Sequence, residues 1–390
     1  MVIWKFVGVF AAALCCTAAN AQAGRAMVLV LADVNTEGGR EVACATSVSD
    51  SNALEVRLQG FGGYGDAASA VQRALDVERN LVAVIGPIGT SVASILSDIE
   101  LNKLLRGTNV AYISLALTPV VLKDRSPEYL RVGPTTASLR QAAEAYLIEQ
   151  WKPDAIGIVG LRSDQAFAGT SDAASYFASL GRKTAGQVFQ GQGLSRELDS
   201  FASKPRVGLV YVNSDIQAAI EAAAKYRDAK VVVTYERPEQ NLPPNLFVAA
   251  PPDPRKLPSA QEFVRRFTSK CPKESLSGYA LASYVAMQTV DQAISKTGVS
   301  RRIDAQKVLE LLRTGAFATA VGGNRRYGRG GELHYGTAST AIWGQGLSSS
   351  VQPVVQSTDN TKQKCQGSVC DQCSDCTLNG QCSSSRTCPP

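Results

Sequence analysis

The stretch Leu81-Val-Ala-Val-Ile-Gly-Pro-Ile-Gly-Thr90 decides the fold class of this chain. Five consecutive apolar residues precede a Gly-Pro pair, a pattern that is typical of a strand buried on both faces and followed by a turn. Such strands occur in parallel sheets, because the helices that connect parallel strands cover both faces of the sheet. We therefore expect the chain after Thr90 to continue into a helix that returns across the sheet.

Runs of the same type recur on both sides of this stretch. They predict strands at residues 27–32, 55–58, 81–85, 110–114, 155–159, 207–212, 230–234 and 246–250. Apolar residues at helical spacing lie between the runs, as at Ala67, Val71 and Ala74. This alternation predicts an α/β fold of two doubly wound parallel-sheet lobes with a ligand cleft between them. An alternative for the beginning of the chain is a helix over residues 25–35 in place of the first strand.

The end of the chain differs in composition from the two lobes. A long helix is predicted over residues 279–294, and Asp304 is expected to cap a last helix that Gly315 ends. Two short strands at 332–335 and 339–344 precede a segment rich in Ser, Gln, Thr and Cys. The sequence predicts a signal peptide at residues 1–23 and a Cys-rich tail at residues 348–390. Between them, the predicted N-terminal lobe consists of residues 24–134 with 251–324, and the predicted C-terminal lobe of residues 135–250 with 325–347.

The composition excludes two classes of protein. Apolar residues make up 45% and charged residues 19% of the 390 positions, which indicates a globular protein rather than a disordered one. The net charge of +6 comes from basic and acidic residues that are mixed along the chain. Since no block of like charge is present, the sequence predicts no nucleic acid partner.

The amino terminus has the pattern of a secretory signal peptide. Lys5 precedes an apolar run at residues 7–16, and small residues near 19–23 offer the cleavage site. An alternative is a lipoprotein anchor on Cys15 or Cys16, but Leu14 stands where that signal requires a small residue. Ordinary cleavage is favoured, so we expect a periplasmic protein that meets the membrane only through partner proteins.

Several segments, by their order and spacing, resemble the type I periplasmic solute-binding proteins of the branched-chain amino acid class. They are Val82-Ala-Val-Ile-Gly-Pro87, Ala111-Tyr-Ile-Ser-Leu-Ala-Leu-Thr118, Leu130-Arg-Val-Gly-Pro-Thr135, Ala155-Ile-Gly-Ile-Val159 and Gly328-Arg-Gly-Gly-Glu-Leu333. The resemblance covers residues 25–345 and implies two lobes that close on a ligand without changing it chemically. It implies capture of an amino acid or a related small polar solute, delivery to the permease of an ABC transporter, and no cofactor.

The resemblance also assigns ligand contacts in the first lobe. Thr90, Ser91, Ala116 and Thr118 follow predicted strands and match the positions that hold the ligand carboxylate in the family. Free N–H groups at the start of a helix bind anions well, which gives the assignment a physical basis. Helix capping is the alternative role of Thr90 and Thr118, and a cap at the cleft is also an anion site.

In the second lobe the resemblance assigns three further contacts. Phe167 stands where the family places an aromatic ring against the ligand, and Asp215 follows a strand at another contact position. Glu236 matches the carboxylate that receives the ammonium group of the ligand, with an ion pair to Arg237 or Lys225 as the alternative. A sensory subunit of the same fold is the alternative to transport.

Two patterns that would indicate an enzyme are incomplete. The glycines from Gly60 to Gly65 match a dinucleotide fingerprint, but the next strand ends in Gly86-Pro87 and lacks the acid that would bind the ribose. The single histidine, His334, leaves His-dependent triads and metal clusters without their usual residue. The sequence therefore predicts a binding protein rather than an enzyme.

Six of the ten cysteines lie close together in the tail, at Cys365, Cys370, Cys373, Cys376, Cys382 and Cys388. Export favours three disulfides, although the CxxC spacing also suits zinc or an iron–sulfur cluster. A redox or metal-binding protein that acts through this tail is therefore a further alternative function. Cys44 and Cys271 fall in one predicted lobe, and the sequence leaves open whether they are paired.

Overall fold

The computed structural model of the protein describes most of both lobes. The described residues are 25–49, 51, 53–60, 65–89, 92–116, 125–160, 173–178, 182, 184–189, 198–200, 206–212, 216–235, 242–298, 304–328, 330–333, 335 and 340–344. The predicted signal peptide and the tail with its six cysteines lie outside these residues.

The first sheet consists of six parallel strands. They are β1 (Ala26–Leu31), β2 (Leu54–Gln59), β3 (Leu81–Gly89), β4 (Ala111–Ala116), β5 (Tyr129–Val132) and β13 (Glu332–Leu333). Their spatial order is β13-β5-β4-β3-β1-β2. Every residue of β1 is buried, because side chains on both faces of this strand pack into a helix-covered core.

The second sheet repeats this arrangement. Its strands are β6 (Ala155–Gly160), β7 (Thr184–Phe189), β8 (Val207–Val212), β9 (Lys230–Thr234), β10 (Leu246–Ala250) and β14 (Ala341–Trp343). Their order is β14-β10-β9-β8-β6-β7, and β14 alone runs antiparallel to its neighbour. A separate antiparallel pair joins β11 (Phe317–Ala318) to β12 (Asn324–Arg325).

Helices connect the strands and cover the sheets. They are α1 (Glu37–Ser47), α2 (Asp66–Val77), α3 (Val92–Leu104), α4 (Thr136–Tyr146), α5 (Ile216–Lys225), α6 (Gln261–Lys270), α7 (Gly278–Thr297) and α8 (Ala305–Thr314). Asp304 caps α8 by accepting a hydrogen bond from the Gln306 N–H at 2.9 Å, and Gly315 follows the last turn. Within the described part of the chain, no helix is both long and apolar enough to cross a membrane.

The structure corrects two expectations from the sequence. Residues 26–31 form a strand, so the alternative of a helix over 25–35 is wrong. Residues 325–347 were assigned to the C-terminal lobe, but Glu332 pairs with Arg131 and Leu333 with Val132 in the first sheet. Among the described residues of this segment, β14 alone joins the second sheet. A two-residue strand carries no periodicity that could assign it to a sheet, and the other lobe boundaries stay predictions.

A disulfide closes the first lobe. Cys44 in α1 bonds to Cys271, the residue that caps the end of α6, with their Cα atoms 6.3 Å apart. The two residues are separated by 227 positions, so the bond joins the first helix of the chain to a helix that follows the whole second sheet. Cys44 is 5% exposed, and its side chain belongs to the same apolar core as Val42 and Phe267.

Removing this bond should destabilise the protein. We expect the double variant Cys44→Ala/Cys271→Ala to lose roughly 2–5 kcal/mol of unfolding free energy, because the unfolded chain regains the freedom of a long loop. Guanidinium titration measures the loss. Peptide mapping without reduction is the control, since it should recover the peptides of Cys44 and Cys271 as one species. Alkylation of Cys271 in the native, unreduced protein would contradict the pairing.

Candidate functional site

Each sheet has one point at which the chain reverses its direction of winding. In the first sheet β1 lies between β2 and β3, and in the second sheet β6 lies between β7 and β8. Ligands of open parallel sheets bind beyond the carboxyl ends of the strands at such points. The candidate site is therefore the region beyond the ends of β1, β3 and β4 in the first lobe and of β6, β8 and β9 in the second.

The loop after β1 is ordered by its own hydrogen bonds. The carboxylate of Asp33 accepts from the backbone N–H of Asn35 at 3.1 Å, and the Asp33 carbonyl accepts from the N–H of Thr36 at 2.9 Å. The Thr36 hydroxyl donates to the same carbonyl at 2.8 Å and accepts from the Gly39 N–H at 3.1 Å, which caps α1. These bonds hold the loop rigidly at the reversal point of the first sheet.

Two glycines let other parts of the chain approach this region closely. A Cβ atom at Gly39 would lie 1.8 Å from the carbonyl oxygen of Asp33, so α1 reaches the loop only because residue 39 has no side chain. Gly86 has a φ of +102°, and a Cβ there would lie 2.6 Å from the carbonyl oxygen of Leu31. Both contacts pack the backbone of neighbouring elements against the end of β1.

An open polar cavity of about 420 Å³ lies beside the loop. It falls in the usual volume range of small-molecule pockets. Carboxylates, a hydroxyl, an amide and a guanidinium line it, from Asp33, Val34, Asn35, Gly60, Asp66, Ser69 and Arg73. Asp33 and Asn35 closely follow a strand that the sequence predicts, which is a signal for a site, yet the resemblance assigns no contact to them. The loop after β1 is thus an additional candidate for the site, which the sequence analysis did not assign.

A buried polar network joins α3 to the beginnings of β4 and β5. The hydroxyl groups of Tyr112 and Tyr129 donate to the two carboxylate oxygens of Asp98 at 2.6 and 3.2 Å, and Arg131 donates to the Tyr129 hydroxyl at 3.1 Å. All four side chains are buried. Burial and the charge of Asp98 raise the pKa of the Tyr112 hydroxyl well above its usual value, so it remains a donor. The network therefore ties α3 to the edge of the sheet at which β4 and β5 begin, opposite the carboxyl ends of the strands.

The two lobes meet next to this region. Ile88 of β3 packs against the core of the first lobe and also against the core that contains Ile158 and Val210 of the second sheet. Tyr279 in the first turn of α7 belongs to that second core. A Cβ atom at Gly278 would lie 2.3 Å from the Cβ of Pro251, so the segment after β10 packs tightly on the start of α7. The end of β3 therefore lies at the junction of the lobes.

Most of the site residues predicted from the sequence lie outside the described residues. These are Thr90, Ser91, Thr118, Phe167, Asp215 and Glu236. Ala116 is described as the last residue of β4, and its backbone pairs with Gly89 at the end of β3. The ends of β3 and β4 are thus adjacent at the carboxyl edge of the first sheet. The assigned ligand contacts remain predictions.

The described side chains offer no group of three or more His, Cys, Asp or Glu residues that could hold a metal ion. The tail cysteines lie outside that part of the chain, so the choice between disulfides and metal in the tail remains a prediction.

Comparison with solved structures finds the same fold in bacterial solute-binding proteins. A substrate-binding protein of an ABC transporter from Desulfitobacterium hafniense, in complex with Leu, aligns with a TM-score of 0.64, 16% identity and coverage of 82% of this chain and 96% of that one. A leucine-binding protein from Thermotoga maritima aligns with a TM-score of 0.60 and 17% identity, and the alignment covers 82% of this chain and 94% of that one. A solute-binding protein from Rhodopseudomonas palustris, in complex with benzoate, aligns with a TM-score of 0.61 and 12% identity. That alignment covers 82% of this chain and 92% of the other.

Comparison by sequence gives two results. No curated protein matches the chain. The model of the periplasmic binding protein family matches residues 63–342, which is well over half of the chain and includes strands of both sheets. Together with the two similarly wound sheets, this match confirms the resemblance and the fold class predicted from the sequence: the chain belongs to the periplasmic binding protein family and is a solute-binding protein of the type I fold.

Proposed function

We propose that this protein captures an amino acid, or a related small solute with a carboxylate, in the cleft between its lobes and delivers it to the permease of an ABC transporter. The observation that carries the proposal is the meeting of β1, β3 and β4 at one edge, beside the ordered loop after β1 and the junction of the lobes. The ligand leaves the protein chemically unchanged.

The ligand class follows from what such an edge can bind. Helix N-termini beyond parallel strands favour an anion, and Thr90 and Thr118 are assigned to this role. Leucine and benzoate, the ligands in two of the similar structures, share a carboxylate and differ in every other group. The ammonium partner, Glu236, therefore distinguishes an amino acid from a simple organic acid. Asp33 and Asn35 add polar groups beside the same edge.

The cellular setting is part of the proposal. Cleavage of residues 1–23 releases the protein into the periplasm, where the cysteines of the tail form disulfides. The Cys44–Cys271 bond is consistent with an oxidising compartment, because disulfides rarely persist in the cytosol. The tail beyond residue 347 follows the last of the described strands, and we expect it to take no part in ligand binding.

Binding without turnover is the first test. We expect at least one amino acid, amide or small organic acid to raise the unfolding temperature, since a ligand at 100 times its Kd adds roughly 2.7 kcal/mol of stability. Mass spectrometry should recover the ligand unchanged after prolonged incubation. Catalytic conversion of the ligand, or the absence of any stabilising compound from these three classes, would contradict the proposal.

The variant Glu236→Gln tests the amino acid class. It keeps the size of the side chain and removes its charge, so the ligand ammonium loses its partner at a cost of about 3–5 kcal/mol. Calorimetry should show affinity for an amino acid falling by roughly two to four decades. Glu262→Gln is the matched control, because Glu262 is exposed and pairs with Arg265 on the same helix, at 2.8 Å. Equal affinities of the two variants would favour an organic acid as the ligand.

The variant Gly39→Ala tests whether the loop after β1 contributes to the site. A Cβ atom at this position clashes with the Asp33 carbonyl, so the loop or α1 must shift, at a cost of roughly 1–3 kcal/mol. We expect weaker ligand binding together with a lower unfolding temperature. Gly60→Ala is the matched control, because Gly60 lines the same cavity but a Cβ there meets no atom within 4 Å. Unchanged affinity in Gly39→Ala would exclude the loop from ligand binding.

A further inference from the structure

The strand β2 is an unusual edge strand. It is the terminal strand of the first sheet, and within the described residues no strand pairs with its outer side. Glu55, Val56, Arg57 and Leu58 are all exposed, so neither face of its centre is covered by a helix. A strand with both faces and one edge open offers a second strand room to pair with it, and proteins usually block such edges.

Exposed apolar side chains concentrate at this edge. The described residues include five large apolar side chains that are exposed, and Val56 and Leu58, at 37% and 46%, are two of them. Val77, at 73%, is a third and ends α2 next to Glu78, which pairs with Arg57 of β2 at 2.6 Å. Apolar side chains at an open edge gain stability when a partner strand covers them.

The backbone groups of β2 that face outward can be identified. The carbonyl groups of Ala53 and Gln59 accept hydrogen bonds from Ala26 and Ala32, so they point toward β1. Backbone groups alternate sides along a strand with a period of two, and the odd-numbered residues of β2 therefore face β1. The N–H and C=O groups of Leu54, Val56 and Leu58 face away from the sheet.

The sequence of β2 is chemically self-complementary about Val56. It reads Leu54-Glu-Val-Arg-Leu58, with like residues at the ends and opposite charges on either side of the centre. In an antiparallel pair of two such strands, Val56 meets Val56, Leu54 meets Leu58, and Glu55 meets Arg57, each from the other copy. The Val56–Val56 and Leu54–Leu58 pairs are hydrogen-bonded pairs, because the backbone N–H and C=O groups of these residues face outward. Glu55 and Arg57 form the closer, non-hydrogen-bonded pair.

The neighbouring registers are disfavoured by charge. The outward N–H and C=O groups of the two copies also lie opposite each other when the centre of the strand pairing moves to residue 55 or 57. A centre at 55 places Glu55 directly opposite its own copy, and a centre at 57 does the same with Arg57. Like charges directly opposite each other destabilise a strand pair, so only the register centred on Val56 combines matched hydrogen bonds with matched charges.

We propose that two copies of this protein associate through antiparallel pairing of their β2 strands across a two-fold axis at Val56. The pairing joins the two first sheets edge to edge into one continuous sheet and covers Val56 and Leu58 of both copies. Such an isologous contact is closed, so it yields a dimer and not a fibre. The strand contact is small, so we expect a weak, reversible dimer that forms at high protein concentration.

Charge reversal tests the register. Sedimentation equilibrium of the full chain should show dimerisation that weakens at least tenfold in Glu55→Arg and in Arg57→Glu, because each change places like charges opposite each other. The double variant Glu55→Arg/Arg57→Glu restores opposite charges across the axis and should restore the dimer. Arg265→Glu is the control, since it reverses the charge of an exposed ion-pair residue on α6 and should leave the dimer unchanged.

A backbone variant tests the strand pairing itself. Val56→Pro removes an N–H that faces away from β1, so it should abolish the dimer while the folded monomer keeps its circular dichroism spectrum. A wild-type protein that remains monomeric up to about 1 mM would overturn the proposal. Failure of the double variant to restore the dimer would overturn it as well. If β2 is protected from hydrogen exchange in a monomer and truncation after residue 347 removes this protection, the tail pairs with β2 in place of a second copy.

Discussion

The structure depends on one constraint, which is that a connection between parallel strands must cross a face of the sheet. Helices then cover both faces, and the strand interiors contain almost only apolar residues, as in the fully buried β1 and β8. All such strands end at the same edge, so polar groups that are useful to a ligand collect beyond their carboxyl ends. The loop from Asp33 to Thr36 and the cavity beside it are the described part of that edge.

Charge inside the fold is tolerated where it is paired and hydrogen-bonded. Asp98 accepts from two tyrosine hydroxyls, and Arg131 donates to one of them. Arg125 pairs with Glu332 at 2.9 Å and thereby fastens β13 beside β5. Each buried group would cost several kcal/mol without its partners, so the network fixes one arrangement of α3, β4 and β5.

The sequence predicted the elements whose pattern is local. The strands at 207–212, 230–234 and 246–250 have the predicted bounds, because each is a short apolar run between polar turns. The place of β13 was wrong, since a two-residue strand such as Glu332–Leu333 is defined only by its partner. The Cys44–Cys271 bond joins residues that are distant in the sequence, and the close approach of Gly39 to Asp33 brings a helix against the loop before it. The periodicity of apolar residues encodes neither contact. For the candidate site, the resemblance assigned individual ligand contacts, whereas the hydrogen bonds of the loop after β1 and the cavity beside it were visible only in the structure.

The disulfide has a consequence for the order in which the protein matures. A chain that is made and exported from its amino end presents Cys44 long before Cys271, with 227 positions between them. Strands β6 to β10 lie in the interval, and they form an unbroken stretch that is able to assemble as soon as it has emerged. Cys271 emerges only after these strands, so the covalent closure of the first lobe follows the appearance of β6 to β10. The lobe that begins the protein is thus closed only once the five parallel strands of the other lobe are available, and β14 joins those strands later still.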